Sequence, residues 1–400
     1  MPQITKRVVL HFPGFEPLNA EAHHDRYARS AGQSAEVWNY QADVGPLGGS
    51  PCAPSFTVEA AGPDWRTSSH VHILDHGALI STFRSMPTLV RLAVGYRSAA
   101  QVIRHGAMLG YFRHAWRFGL FFLFPFLLVA LGFASLLLCA LLPFLAGYPA
   151  WNLLWSLPAA SLIFFKVFLP VAERLHTVHL FDDWRLVIAL SFLDDAEVNR
   201  RLEQCVEAAH AALQEPADEY LITSHSMGSS VAVHVIGTIM ERNPTILAGK
   251  TVIFASLGGA VLQCALLKPA TVLRRRVGAI AGCADIYWLD VQCLTDAVNF
   301  FRAKVVAAVG FAGLRQADIL FIRFKHMVSP ERYRRIKRDF LRMHRQYVLG
   351  PDRRATFDFT LMTAGPLPAA GFAGFAPDRL PPLAADGSLG AAVHSGGAPA

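Results

Sequence analysis

Residues 224 to 228 read Ser-His-Ser-Met-Gly, between the apolar run YLIT and the apolar stretch SSVAVHVIGTIMER. A serine hydroxyl becomes a useful nucleophile only when it is exposed and a base removes its proton. Strand, tight turn and helix in that order supply the exposure, setting Ser226 above the C-terminal edge of a sheet. Gly228 lets the following helix pass close to the strand. The pattern G-x-S-x-G begins with glycine; here Ser224 stands in that place, a small side chain where one is needed. The alternative is a small-residue turn with no reactive group.

The same chemistry needs an acid and then a base later in the chain. The stretch YWLDVQCLTDAVNF offers Asp290 within a strand and Asp296 just beyond it. A carboxylate on a loop reaches an imidazole more readily, which favours Asp296. Asp285 and Asp290 also read as structural carboxylates at a strand edge. Two histidines follow. His326 leaves the strand DILFIRFKHM, and His344 stands where the basic helix PERYRRIKRDFLRM gives out. Topology alone leaves both open, and both also read as surface histidines on a basic face. His394 lies in a Pro-, Ala- and Gly-rich tail and is a poor candidate.

These stretches together resemble the α/β-hydrolase superfamily in its lipase-like branch. SHSMG is similar to the lipase elbow, and LHFPGF (10–15) resembles the strand and turn that supply its oxyanion hole. The resemblance implies that the backbone N–H groups of Phe15 and Met227 face the developing oxyanion, worth a few kcal/mol of transition-state stabilisation. On its own, Pro13-Gly14-Phe15 also reads as a simple turn ending a strand. The stretch around Asp296 resembles the acidic loop H-P-x-D-P-V-A-Y of DDHD-type intracellular phospholipases, with Asp296 on the aspartate and Val298 on the valine. Cys293, Leu294 and Ala297 depart from that pattern. The H-x-x-Y context of that group's histidine matches His344-Arg345-Gln346-Tyr347 and favours His344. The resemblance implies a triad of Ser226, Asp296 and His344, acyl-ester hydrolysis and no cofactor.

HVHILDH (70–76) looks at first like a zinc motif of the form H-x-H-x-D-H, but its Asp-His pair comes one residue late. Ligand geometry is set by spacing, so no metal site is expected there. Strand alternation puts His70, His72 and Leu74 on one face. His23-His24-Asp25 reads as a solvated helix surface or as part of the active-site entrance. Six scattered cysteines without a C-x-x-C suggest neither zinc nor a disulfide framework.

The chain has 400 residues, 53% of them hydrophobic, and a net charge of +7. Mean hydropathy is +0.32, high for a soluble globule. Residues 118–142 carry no charge and 151–171 carry one, Lys166 near the far end. Both are long enough for a hydrocarbon core of about 30 Å and read as a transmembrane hairpin rather than two core helices. Arg91, Arg97, Arg104, Arg113 and Arg117 precede the first run; Arg174 and Arg185 follow the second. The positive-inside rule then places both flanks in the cytoplasm. No basic run with interleaved aromatics marks a nucleic-acid site, so membrane lipid is the expected partner. MPQITKRVVL has no long apolar core and does not read as a secretory signal. The basic stretch 331–345 reads as a helix packed on the sheet, with or without contact to anionic headgroups.

Elsewhere strands alternate with helices. Strands are expected at 6–12, 35–44, 69–80 and in the three apolar runs after residue 250. A helix is expected over 19–31, another over 195–213, and loop from 45 to 64. That pattern predicts an α/β fold with a mostly parallel sheet. Its parts are residues 1–100 and 180–364, split by the hairpin, with a flexible tail over 365–400. The expected function is a membrane-anchored serine hydrolase acting on acyl esters, lipid esters foremost. The competing readings are a non-catalytic scaffold of the same fold, and a thioesterase or peptidase on the same triad.

Overall fold

The computed structural model describes residues 3–390. Residues 391–400, with His394, lie outside the described part. The chain opens with β1 (Lys6–Phe12), α1 (Ala20–Trp38), β2 (Gln41–Val44), β3 (Gly48–Ser50), β4 (Ala53–Ala61) and β5 (Arg66–Ile73). A helical insert follows, made of α2 (Gly77–Arg84), α3 (Thr88–Arg104), α4 (Ala107–Leu145), α5 (Leu153–Ile163), α6 (Leu169–Glu173) and α7 (Thr177–Phe192). After α8 (Ala196–Ala212) come β6 (Glu219–His225), α9 (Gly228–Arg242), β7 (Val252–Leu257), β8 (Ile286–Cys293) and β9 (Asp318–Ile322).

The strands form one mixed sheet in the order β2-β4-β5-β1-β6-β7-β8-β9, with β3 paired to β4. From β5 to β9 all neighbours are parallel; β2, β3 and β4 join antiparallel. This is the expected α/β class with a mostly parallel sheet flanked by helices. From β1 the sheet grows one way to β5 and β4, and from β6 the other way to β9. Open α/β sheets bind ligands at such a reversal, outside the carboxyl ends of the strands. Both β1 and β6 end there, which places their C-terminal turns side by side.

Central strands with helices on both faces read as continuous apolar runs. Every residue of β6 is buried, although Glu219 is charged. Its carboxylate meets the equally buried Arg7 at 2.7 Å. Arg7 also donates to the carbonyls of Gly365 and Leu367, and Glu219 accepts from the Ala369 N–H. Leu367, Ala369 and Phe372 are buried beside them. So residues 365–390 pack on the sheet, against the expectation of a flexible tail from 365. Leu383 and Leu389 are buried too, so the Pro, Ala and Gly content hid enough apolar anchors to order the segment, and the buried ion pair takes up some of its backbone groups.

Four local expectations differ from the structure. The strand expected at 69–80 is β5, which ends at Ile73, and Gly77 onward is the helix α2. The strand expected at 35–44 is β2 alone, because α1 runs on to Trp38. Asn19 caps the start of α1, and Asn39 ends it in the left-handed conformation at φ 57°. Tyr27, Ala31 and Trp38 form its buried stripe, which overrides the strand preference of Val37 and Trp38. The loop expected at 45–64 contains β3 and β4. Inward-facing Phe56, Val58 and Ala60 alternate there with more exposed residues, the period of a half-buried strand. The basic helix at 330–343 is two short helices, Pro330–Ile336 and Phe340–His344, the second capped by Asp339.

Two helical runs are long and apolar enough to cross a membrane, Ala107–Leu145 and Ala150–Glu173. Backbone dihedrals break α4 at Ala115. The second run passes through a π turn at Phe164–Phe168 between α5 and α6. Phe118, Phe122 and Phe126 of α4 are buried against Tyr111, Phe181, Trp184 and Phe300. Further along, Leu131, Leu138, Leu142, Leu154, Leu162 and Val167 are exposed. The two ends of the insert return to one place. Arg91 on α3 pairs with buried Asp182 on α7, and Gly95 lies so close to Phe181 that a Cβ would stand 2.2 Å from its ring.

Candidate active site

The turn after β6 holds Ser226 at φ 54°. A non-glycine residue in that region is strained, and such strain concentrates at functional turns. What fixes it is close packing. A Cβ on Gly228 would stand 2.2 Å from the carbonyl oxygen of Phe12, so α9 crosses the end of β1 with glycine alone fitting. The Ser226 carbonyl accepts from Ser229 and Ala260, and its N–H donates to Leu257. The Ser224 hydroxyl donates to that of Ser229, so the serine in the place of the usual glycine is accommodated in the turn.

The turn after β1 lies alongside. A Cβ on Gly14 would meet the His225 ring at 2.8 Å and the Ser226 side chain at 3.2 Å. Neither the Phe15 N–H nor the Met227 N–H has a hydrogen-bond acceptor among the described residues. Buried backbone donors are almost always paired. Met227 follows Ser226 in the chain and Phe15 follows Gly14, which packs on Ser226, so both unpaired donors lie near the same serine.

Asp296 and His344 meet. The His344 Nδ1 lies 2.7 Å from an Asp296 oxygen, and both side chains are buried. Asp296 also accepts from the Val298 N–H and the Asn299 amide. Burial alone would raise its pKa, but His344 and these donors outweigh burial and hold it below the usual aspartate value. An ionised acceptor makes Nδ1 the N–H of the ring and leaves the Nε2 lone pair free. Nε2 is buried and has no hydrogen-bond partner. His344 lines one cavity together with Ser226, Gly14 and Phe15, with Phe121 of α4 and Asp183 of α7. The cavity is narrow, about 30 Å³, roughly the share of one water.

The alternatives are placed elsewhere. Asp290 accepts from Ser256 and Gln292, and burial pushes it up to about 6; it touches no imidazole. His326 lies on a one-turn helix after β9, not at a strand end, and lines a separate cleft of about 480 Å³ with Arg302, Arg323 and Arg354. That cleft shares no residue with the cavity over Ser226. His23 is buried against Arg26 rather than solvated.

Of the supporting residues, Glu16 and Asn299 gave no signal in the sequence, whereas Tyr347 stood in the H-x-x-Y stretch. Glu16, one residue past Phe15 in the turn after β1, is buried between Arg26 and Arg345. It ties that turn to the residue after His344. Burial would raise its pKa, but Arg26, His225 and Arg345 outweigh burial and hold it far below the carboxylate range. The Tyr347 hydroxyl accepts from the Asn299 amide and the Cys293 N–H. Asn299 in turn donates to Asp296, so Tyr347 of the H-x-x-Y stretch braces the acid at one remove. Its packing needs Gly258, where a Cβ would stand 2.4 Å from the Tyr347 ring.

Asp183 is a second buried carboxyl in this cavity, held by the Gln263 amide. Burial pushes its pKa up to about 7. A carboxyl raised in this way keeps a proton in the folded state that the unfolded chain has lost. Its favourable contribution is complete at low pH and fades as pH rises from the ordinary aspartate value through about 7. Asp183→Asn should therefore flatten the fall in stability across that window and raise Tm at pH 8. Thermal unfolding of both proteins from pH 4 to 8 checks this; parallel curves would show that Asp183 titrates as an ordinary carboxylate.

No family model, curated protein or solved structure matches this chain. The functional reading therefore rests on its own residues.

Proposed function

We propose that the protein is a serine hydrolase of the α/β-hydrolase kind, held at a membrane by its helical hairpin, and that it cleaves the acyl esters of lipids. The observation that carries this reading is the His344–Asp296 pair, whose Nε2 is unpartnered, on a histidine that lines one cavity with Ser226. Ser226 Oγ attacks the acyl carbonyl, and His344 Nε2 takes its proton. Asp296 keeps the ring in the Nδ1–H form and stabilises the imidazolium. The carbonyl oxygen becomes an oxyanion and receives the N–H groups of Phe15 and Met227. Collapse expels the alcohol, which leaves with the proton from His344. A water then repeats the sequence on the acyl-enzyme and releases the fatty acid.

Two features favour a lipid ester. Leucines of α4 and α5, with Phe144, Trp151 and Trp155, stay exposed along the hairpin, large apolar side chains that a bilayer would cover. From Leu127 to Leu145 α4 is about 28 Å long at 1.5 Å per residue, close to a hydrocarbon core. The same helix carries Phe121, which lines the cavity. A substrate leaving the bilayer along α4 thus arrives at Ser226. The packing of α3 on α7 keeps both flanks on one side of the hairpin, and the flanking arginines favour the cytoplasm. The cavity is narrow, so an acyl chain needs its walls, α7 and the Phe340–His344 helix among them, to give way.

Carbonate washing of membranes should leave the full chain in the pellet, and reporters fused at residue 100 and at the C-terminus should both read cytoplasm. Release by carbonate would remove the spanning hairpin. Purified protein in detergent should hydrolyse long-chain lipid esters. If it cleaves only soluble thioesters or peptides, the lipid assignment fails while the nucleophile stands.

A further inference from the structure

The motif HVHILDH, whose spacing argues against a zinc site, gains a third partner in the fold. His70 and His72 stand two apart on β5 and face the same side of the sheet, their rings 4.2 Å apart. Glu215 reaches them from the segment after α8. His70 Nδ1 lies 2.7 Å from one oxygen of Glu215, and His72 Nε2 lies 3.0 Å from the other. Asp75 and His76, the acid and histidine of the sequence motif, take no part: Asp75 accepts from the Gly77 N–H, and His76 stacks near Phe15.

We propose that His70, His72 and Glu215 bind a divalent transition-metal ion, with zinc as the natural occupant. Their ligand atoms lie within 4.8 Å of one another. A tetrahedral zinc with bonds of about 2.0–2.2 Å holds its ligands about 3.3–3.5 Å apart, so shifts of a few tenths of an ångström to about 1.5 Å admit the ion. Hydrogen bonding alone leaves the cluster incomplete. His72 Nε2 is buried beside a carboxylate oxygen at 3.0 Å, yet that oxygen is misaligned and the nitrogen has no hydrogen-bond partner. A cation between the three atoms uses that lone pair and both other donors. The His70 and Glu215 side chains are each about one-third exposed, at 34% and 31%. The ion therefore has a path in, and water can complete the tetrahedron. Two imidazoles and one carboxylate are a donor set suited to zinc rather than to calcium or magnesium, which prefer all-oxygen shells.

The ion would clip β5 to the segment that leads from α8 into β6, the strand that carries the Ser226 turn. None of the three residues lines the catalytic cavity. The site is thus separate from the hydrolase reading and does not rest on it.

The test uses the full chain, purified in detergent and stripped with a chelator. After incubation with zinc and desalting, elemental analysis should find one zinc per chain. Cobalt in its place should give the visible absorption of a tetrahedral site. His72→Asn should bind zinc at least tenfold more weakly, and Glu215→Gln should also weaken it. Zinc should raise the Tm of the wild type and not that of the variants. The metal-free Tm of each variant controls for misfolding, and ester hydrolysis by both variants should match the metal-free wild type. Zinc affinity weaker than about millimolar in the wild type would overturn the proposal. So would equal zinc binding by the wild type, His72→Asn and Glu215→Gln.

Discussion

Ser226→Ala should reduce ester hydrolysis by about four to six orders of magnitude, to the level left by binding and the oxyanion donors alone. The size follows from the division of labour around the turn. In the proposed mechanism Phe15 and Met227 act through backbone N–H groups, which no side-chain change at 226 removes. The alanine methyl fits wherever the serine fits, because the strained φ of 54° is imposed by packing of Gly228 on Phe12 and not by the hydroxyl. The variant should therefore fold, bind substrate and do almost nothing to it. Steady-state assays on one lipid ester, with circular dichroism to verify folding, compare the two. Retention of even one-tenth of the wild-type rate would place the nucleophile elsewhere.

His344→Ala should cost as much as Ser226→Ala, and the double variant should cost no more than either, because the pair acts as a unit. Asp296→Asn should cost about 10⁴ in kcat, by letting the ring take the Nε2–H form, in which it cannot accept the serine proton. Its KM should change little, since Asp296 lies behind His344 and lines no part of the cavity. His326→Ala gives the contrast. That residue lies in the other cleft, so its loss should leave turnover within about twofold. The rates of these variants under one assay distinguish the assignments. Full activity of His344→Ala with a dead His326→Ala would reverse them.

How much of this was readable from residues alone varied with the kind of signal. The strand–turn–helix at 220–242 was legible because period, turn residues and Gly228 agree. Local agreement of that sort marks a structure a sequence specifies well. That Asp296 rather than Asp290 meets an imidazole was legible from one fact, that a loop carboxylate reaches further than one within a strand. That His344 rather than His326 shares a cavity with Ser226 was suggested by the family resemblance alone, since the separation of the two clefts is a tertiary property. Apart from Tyr347, the supporting residues were not legible. Glu16 and Arg345 are far apart in the chain, and nothing in the local sequence says that one carboxylate will join the two turns. Glu219 and Arg7 form a similar case, and missing them made 365–390 look flexible. The strand β4 was missed for another reason: glycines and prolines on either side of it outweighed the alternation of Phe56, Val58 and Ala60. Glu215 was invisible as a partner of His70 and His72 because the connection runs across the sheet from another helix.

The strain at Ser226 and the free Nε2 of His344 are both consistent with an active hydrolase, and both would also be present in a fold kept for binding alone. Only chemistry at the serine separates the two. Reaction with a fluorophosphonate does so in one step, because phosphonylation requires the activated hydroxyl and the oxyanion donors together. Intact-mass and peptide analysis of the treated protein should find one adduct, on Ser226, absent from Ser226→Ala and strongly slowed in His344→Ala. No adduct on Ser226 in folded wild-type protein, or an equal adduct in both wild type and Ser226→Ala, would contradict the account.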